Sequence, residues 1–426
     1  MSALFASVED LLGEGVDTVA RRAAEWGCTE LAVSFAYHAA RDVTPHGPRR
    51  VTVRRDGVSF VPAADAFTGS GLVPAVLQHD ADFGPATLGG AAAHGVGVVG
   101  WAVFLHNEEL GLRHPETTQL SCFGDRAAPA DLCPANPRVR EYCVELALAV
   151  AGLGVREVIA ESLHFGAFGH GYHHERDFVG LGALEQFLLG LCFCGYCVKA
   201  ATDVGVDVSA ARTSAVRLVE RPFDGIEARL GDTALTPQLL AEAGGIELHN
   251  FALARSATVT SLVAEVAAAL AARGVRLTFL DLMGAMQGYG DGLPGPASGL
   301  DEGWQLGIDI PAIAAHSGVG ILAYAQDAER VADETARYRA VLDTADDAED
   351  EVSAEATGDA ADDARMLRVL LRPGNPDCSD EANLAAKAAV AQAAGADSVD
   401  FYHYGLLPFR VLDRVRGALV GRRRSA

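Results

Sequence analysis

Lysine is almost absent from this sequence of 426 residues, in which the only two lysines are Lys199 and Lys387. Arginine supplies the other basic groups. Asp and Glu outnumber Lys and Arg by 57 to 34, which gives a formal net charge of −23. Because phosphate repels such a surface, the composition argues against nucleic acid or an anionic membrane as a partner.

Two kinds of targeting segment are also missing. The first ten residues carry no basic stretch followed by an apolar run, so we predict no signal peptide. No uninterrupted apolar stretch is long enough to span a bilayer. We therefore expect a cytoplasmic protein, in which the eight cysteines are thiols or metal ligands rather than disulfides.

Apolar runs rich in β-branched residues alternate with Ala-rich helical stretches along nearly the whole chain. Apolar strands covered by helices are typical of a parallel sheet, and eight such units predict a single-domain (β/α)8 TIM barrel over residues 1–426. A doubly wound open sheet is the alternative. The predicted strands are Glu30–His38, Val96–His106, Arg156–His164, Val275–Met283, Gln305–Ile310, Val319–Gln326, Met366–Arg372 and Ser398–Tyr404.

Two stretches interrupt this alternation. Residues 203–245 are irregular with some helical character, which indicates an inserted helical segment. Residues 343–363 are mostly acidic or small, and since they have little to bury we predict an acidic, mobile loop.

Three cysteines, Cys192, Cys194 and Cys197, form a C-x-C-x-x-C run. Such spacing concentrates soft thiolates and suits a tetrahedral Zn²⁺ ion, which needs a fourth Cys or His ligand from elsewhere. Buried thiols without a metal, or a redox role, are the alternatives.

Polar side chains gather where the predicted strands end. In a barrel the carboxyl ends of the strands build the active site, so these side chains predict a polar cleft. Glu161 and Asp281 follow apolar residues within their strands, and Asp327 follows another strand. They are candidates for catalysis, or alternatively for ion pairs with arginine. The candidates for substrate binding are Tyr37, His38, His106, Asn107, His164, His170, His173, Tyr324 and Tyr402.

Histidines also cluster at 170, 173 and 174, before Glu175. The spacing lacks the H-E-x-x-H pattern of metalloproteases, which favours a polar loop lining a sugar pocket over a second metal site.

The cysteine region resembles glycoside hydrolase family 42 β-galactosidases. In that family a structural zinc is held by a C-x-C-x-x-C run and one cysteine in a stretch like Cys-Pro-x-x-Pro-x-x-Arg. The segment from Cys133 to Arg140 is similar, so the resemblance implies Cys133 as the fourth ligand. The family places its acid/base glutamate between the two cysteine elements, which implies that role for Glu161, and it suggests a homo-oligomer.

The chain departs from the family pattern in three respects. Ala160 precedes Glu161, where the family has asparagine. Glu161 falls on the third predicted strand rather than the fourth, unless residues 72–78 form an unrecognised strand. No nucleophilic glutamate follows a late strand, which leaves Asp281 or Asp327 as substitutes.

We therefore expect a carbohydrate-active hydrolase in which Glu161 is the general acid and Asp281 or Asp327 is the nucleophile or base. Trp101 or Trp304 is a candidate for stacking on a sugar face. A catalytically silent sugar-binding barrel is the first alternative. A metal-dependent sugar isomerase or hydrolase that uses the histidine cluster is the second.

Overall fold

A closed barrel of eight parallel strands forms the centre of the molecule in a computed structural model. The barrel closes because the first strand pairs in parallel with both the second and the eighth. This confirms the (β/α)8 prediction and excludes an open sheet. The structure describes residues 1–126, 128–170, 178–227, 234–286, 298–347 and 366–420. The barrel strands are Ala3–Ser7, Glu30–Tyr37, Gly97–Val103, Glu157–Glu161, Arg276–Asp281, Gly318–Leu322, Leu367–Leu371 and Ser398–Phe401.

One barrel strand differs from the prediction, and this difference changes the position of the strand of Glu161 in the strand order. Ala3–Ser7 is the first strand, although it contains no β-branched residue. The predicted strand Gln305–Ile310 was wrong. It falls on the end of the 3₁₀ turn Gly303–Leu306, on Gly307, whose φ of 75° ends that turn, and on the start of a short helix at Ile310. Glu161 therefore ends the fourth barrel strand. This removes the difference in strand number from glycoside hydrolase family 42 that the sequence suggested.

The described helices surround the barrel, and a hairpin of Ala40–Val43 and Val51–Arg54 follows the second barrel strand. Short 3₁₀ turns lie at Pro115–Thr117 and Tyr404–Leu406. The α-helices are Val8–Glu14, Val16–Trp26, Phe83–Ala92, Glu108–Arg113, Pro137–Ala151, Ala183–Leu189, Gly195–Asp203, Val208–Phe223, Pro237–Gly244, Ile246–Ala271, Met283–Met286, Gly299–Glu302, Ile310–Ala314, Ala328–Asp347, Glu381–Ala393, Phe409–Leu412 and Arg414–Val420.

The two interrupting stretches have different outcomes. In the predicted insertion, helices Val208–Phe223 and Pro237–Gly244 share an apolar cluster with the start of Ile246–Ala271. The predicted acidic loop begins inside a helix, because Ala328–Asp347 runs five residues into it. The remainder, 348–363, lies outside the described residues.

The longest helix, Ile246–Ala271, is long and apolar enough to cross a membrane by length and composition alone. It packs against helix Pro137–Ala151 and the fifth barrel strand, and it buries Leu262, Val263 and Val266 there. Its apolar character is therefore explained by packing against the barrel.

An ion network fills the amino-terminal end of the barrel interior. The guanidinium of Arg368, which is fully buried, lies within 3.0 Å of carboxylate oxygens of Glu30, Glu157 and Asp400. Asp400 also accepts a hydrogen bond from the backbone N–H of Ala3 at 2.7 Å. A buried charge is tolerated when it is paired in this way.

Candidate functional site

A cavity of about 380 Å³ opens at the carboxyl ends of the barrel strands. Its volume lies in the range of small-molecule sites. Eight predicted site residues come together around it, from the ends of five strands and the loops that follow them. These are Tyr37, His38, His106, Glu161, His164, His170, Tyr324 and Tyr402.

Glu161 is held inside this cavity by a neighbouring strand. The indole Nε1 of Trp101 donates a hydrogen bond of 2.6 Å to Oε2 of Glu161. Burial raises the pKa of Glu161 to about 7, while the bond from Trp101 and the charge of His106 oppose the rise. The next residue, Ser162, has a φ of 56°, a left-handed conformation that is uncommon outside glycine and is often found at functional sites.

Two tyrosines face Glu161 across the cavity. Tyr37 packs edge-on against Trp101 with ring centroids 4.7 Å apart, and its hydroxyl shares a hydrogen bond with that of Tyr402. Burial raises the pKa of Tyr402 to about 12, so both phenols stay protonated at neutral pH. They offer hydroxyl groups that can donate to and accept from a polar ligand.

Two of the cavity histidines, His38 and His164, share one hydrogen-bonding arrangement. Nδ1 of His38 lies 2.8 Å from the carbonyl of Ala39, and Nδ1 of His164 lies 2.7 Å from the carbonyl of Phe165. Since a carbonyl only accepts, both Nδ1 atoms carry the proton and both Nε2 atoms are acceptors. Burial lowers the pKa of both rings to about 4, which keeps them neutral. Nε2 of His164 is buried and has no partner among the described residues.

His106 differs from the other histidines because it pairs with a carboxylate. Its Nδ1 lies 3.2 Å from Oδ1 of Asp131. Burial lowers the pKa of His106, but the bond to Asp131 and nearby carboxylate charges outweigh burial and raise it above its usual value. The His106 ring lies 5.2 Å from that of His170, whose pKa burial lowers to about 4.

Two arginines that are not among the predicted site residues line the same cavity. Arg54, from the hairpin after the second strand, binds Asp42 through Nε at 2.7 Å and lies over the ring of Tyr37. Arg372 follows the seventh strand and stacks on Tyr324 at 4.2 Å. The strand-end position of Arg372 is visible in the sequence. Nothing in the sequence of the hairpin indicates that Arg54 reaches the cavity.

Three predicted residues lie elsewhere among the described residues. Asp281 points outward from its strand, accepts from the Tyr338 hydroxyl at 2.6 Å, and does not line the cavity. Asp327 is exposed and caps a helix by accepting from the N–H of Arg330. Asn107 caps helix Glu108–Arg113 through a bond of 2.8 Å from the Leu110 N–H. These positions give no support to the catalytic roles predicted for Asp281 and Asp327 or to the binding role predicted for Asn107. His173 lies outside the described residues.

Four cysteines, Cys133, Cys192, Cys194 and Cys197, converge in a buried cluster beside the barrel. Their Sγ atoms lie within 4.8 Å of one another, and Cys133 lies 3.5 to 3.7 Å from each of the other three. A tetrahedral ion with bonds of about 2.3 Å requires sulfur separations of about 3.8 Å. The cluster is therefore close enough to bind a metal ion. Within the described part of the chain it is the only group with this geometry.

The charge around the cluster also fits a bound metal. Arg255 is buried beside the cysteines, and its Nε and Nη2 have no hydrogen-bond partner in the described residues. Burial lowers the pKa of Arg255 to about 10, while the charge of Cys197, Cys192 and Cys133 opposes this. Four thiolates around a divalent ion carry net negative charge, which would compensate this guanidinium.

Comparison with known proteins supports the fold. No family model matches the chain, and no curated protein sequence matches it. A β-galactosidase from the psychrophilic Marinomonas ef1 has a similar structure, with a TM-score of 0.53 and 12% identity over 100% of this chain and 59% of that one. A β-galactosidase from the Antarctic haloarchaeon Halorubrum lacusprofundi gives a TM-score of 0.55 and 13% identity, over 98% and 57%. This chain thus spans less than two thirds of either protein, and the similarity shows a shared barrel fold.

Proposed function

We propose that this protein cleaves glycosidic bonds in the cavity, with Glu161 as the general acid. The observation that carries this proposal is the carboxyl of Glu161 on the cavity wall, bound to Trp101 and with a pKa of about 7. A general acid works best when its pKa is near the working pH, and glycosidases raise a carboxyl pKa by burial for this purpose. The barrel fold shared with two β-galactosidases supports the same class of reaction.

The lining of the cavity supports a carbohydrate as the ligand. A sugar ring presents several hydroxyls, each of which donates one hydrogen bond and accepts others. The fixed Nε2 acceptors of His38 and His164 suit hydroxyl donors, and the phenols of Tyr37 and Tyr402 can serve either role.

Glycoside hydrolysis ordinarily needs a second carboxylate in addition to the general acid. Among the described lining residues, the carboxylates other than Glu161 are Asp42 and Asp131. Asp42 is paired with Arg54, and Asp131 with His106. We infer that Asp131 is the better candidate for the base, because the imidazole of His106 can share a proton with it.

A sugar-binding barrel without hydrolysis is the second candidate function. The observation that favours it is that Asp281 and Asp327 lie outside the cavity lining and that both remaining carboxylates are already paired. The metal-dependent alternative has less support, because the cavity histidines do not form a metal-binding group in the described residues.

We further infer that the four cysteines hold zinc. Tetrahedral coordination by four thiolates is typical of structural zinc, which would link helix Gly195–Asp203 to the segment around Cys133. Elemental analysis of the purified protein tests this assignment, and we expect one zinc per chain.

A panel of nitrophenyl glycosides of common neutral hexoses tests the reaction. We expect one or more to be hydrolysed by the protein. With the methyl glycoside of the same sugar, whose leaving group must be protonated, Glu161→Gln should lower the rate by about 10²–10⁴-fold. Tight binding of sugars with no turnover of any glycoside would favour the second candidate. Neither binding nor turnover would reject both functions.

A further inference from the structure

Two cations share one carboxylate at the end of the seventh barrel strand, beside the cavity. Arg372 lines the cavity, and its Nε donates to Oδ1 of Asp377 at 2.7 Å. Lys387, one of the two lysines in the chain, is fully buried, and its charge also acts on Asp377. We propose that this group selects acidic sugars, with Arg372 binding the carboxylate of a uronic acid. The inference rests on the proposed function, because it names the substrate class of the same cavity.

The carboxylate of Asp377 faces more positive charge than it can balance. Its side chain is buried, and while burial raises its pKa, the charges of Arg372 and Lys387 oppose that rise. Nζ of Lys387 donates to the carbonyls of Ala325 at 3.0 Å and of Asp377 at 2.6 Å, which are backbone oxygens rather than carboxylates. Asp327 also acts on Lys387, but it is exposed, so water screens its charge. The group therefore has a surplus of positive charge that an anionic ligand would balance.

The other charged pairs of the cavity wall have no such surplus. Nε of Arg54 donates to Asp42 at 2.7 Å, and Nδ1 of His106 lies 3.2 Å from Oδ1 of Asp131. Each of these cations has a carboxylate of its own. Among the described lining residues, Arg372 is therefore the cation whose carboxylate partner also faces a second cation.

The rings of the wall place Arg372 within reach of a sugar that contacts Glu161. The guanidinium stacks on the ring of Tyr324 at 4.2 Å, and that ring lies 6.4 Å from the ring of Tyr402. Burial is the main cause of the raised pKa of both phenols, and the charge of Glu161 adds to it, so both lie within electrostatic range of this carboxyl. A sugar whose glycosidic oxygen meets Glu161 can therefore present an acidic substituent to Arg372.

The chemistry of the two groups also matches. A planar guanidinium can donate two parallel hydrogen bonds to one carboxylate, and stacking on Tyr324 fixes the plane in which Arg372 offers them. Below a pH of about 7 the carboxyl of Glu161 is mostly protonated, so it does not repel an acidic sugar. A neutral sugar has no group that uses the charge of Arg372.

Equilibrium binding of matched monosaccharides tests this proposal. Titration calorimetry at about pH 6, where a uronic acid is ionised, compares glucuronate with glucose and galacturonate with galactose. We expect the acidic sugar of at least one pair to bind at least about 10-fold more tightly than its neutral counterpart, the usual effect of a hydrogen bond to a charged group.

Three variants assign the preference to Arg372. In Arg372→Met the two affinities of a pair should differ by less than about twofold, and Arg372→Lys, which keeps the charge without the planar fork, should restore part of the difference. Arg217→Met is the control, because Arg217 is an exposed arginine on helix Val208–Phe223 that does not line the cavity. It should keep the full preference.

The outcomes separate this inference from the proposed function. Equal or weaker binding of the acidic sugars, or a preference that survives Arg372→Met, would overturn the acidic substrate and leave hydrolysis of neutral glycosides standing. Tighter binding of the acidic sugars without turnover of any glycoside would support the selectivity of the cavity and reject hydrolysis. Failure of every sugar to bind would overturn both.

Discussion

The indole Nε1 of Trp101 lies 2.6 Å from Oε2 of Glu161, and this bond joins the third and fourth barrel strands inside the cavity. The bond lowers the pKa of Glu161, which burial raises to about 7. Burial, the donor from Trp101 and the charge of His106 together therefore set the protonation state of the carboxyl that we assign as the general acid.

Replacing the donor should move the pH dependence of activity. The general acid must be protonated, so the rate of the native protein should fall as the pH rises through about 7. Trp101→Phe removes a donor that favours the charged carboxylate, so the pKa should rise and the midpoint should move up by about one pH unit. A kcat/KM profile measures this. A midpoint that moves down or stays fixed would contradict the assignment.

The stability of Glu161→Gln relative to the native protein should depend on pH. The folded pKa of about 7 lies above the unfolded value near 4.5, so ionisation costs the native state stability as the pH rises from about 4.5 to 7. Glutamine does not ionise. The free energy of unfolding of the variant, relative to that of the native protein, should therefore increase by about 1–3 kcal/mol as the pH rises across this interval. It should not increase further at higher pH. Urea unfolding at pH 4.5, 6 and 8 measures the difference, and a constant difference would show that the pKa is not raised.

Loss of the zinc that we propose at the four cysteines should destabilise the fold. Cys194→Ser replaces one of the four clustered thiols, so metal content and melting temperature should both fall. Cys143→Ala is the matched control, because Cys143 is a fully buried thiol outside the cluster. It should keep the metal and lose only about 1–2 kcal/mol to a small cavity. Equal metal content in both variants would reject the cysteine site.

Arg255 should tune that site through its charge. Arg255→Met keeps an unbranched apolar stem and removes the guanidinium beside the cysteines, so metal affinity should fall by about 10–100-fold. Arg255→Lys should restore part of it. Competition with a chromogenic chelator measures the affinities. Unchanged affinity in Arg255→Met would show that the thiolates do not compensate this charge.

Most of the barrel was predictable from sequence, because seven of its strands are apolar runs bounded by helices. Ala3–Ser7 was not, since it contains no β-branched residue. The run Gln305–Ile310 misled, because apolar residues in a compact turn have the same composition as a buried strand.

The site was predictable in part. Strand-end residues such as Tyr37, Glu161 and Tyr402 converge because the carboxyl ends of parallel strands meet at one mouth. Alternation along the strand decides which face a residue occupies, and it places Leu280 inside and Asp281 outside. A polar residue at a strand end can therefore be assigned to the carboxyl end of the barrel from the sequence. Whether its side chain points into the barrel or away from it cannot be assigned in the same way. Arg54 reaches the cavity from the hairpin and Asp131 from a loop, and the paths of both segments depend on tertiary packing.

The central claim, that Glu161 performs chemistry in the cavity, is tested most directly by two matched amide substitutions. Glu161→Gln and Asp281→Asn each neutralise a buried carboxyl at a strand end, but only Glu161 lines the cavity. With a hydrolysable methyl glycoside, whose alkoxide leaving group must be protonated, we predict that kcat/KM falls by about 10²–10⁴-fold in Glu161→Gln and changes less than about threefold in Asp281→Asn. Equal losses in the two variants, or a loss confined to Asp281→Asn, would contradict the account.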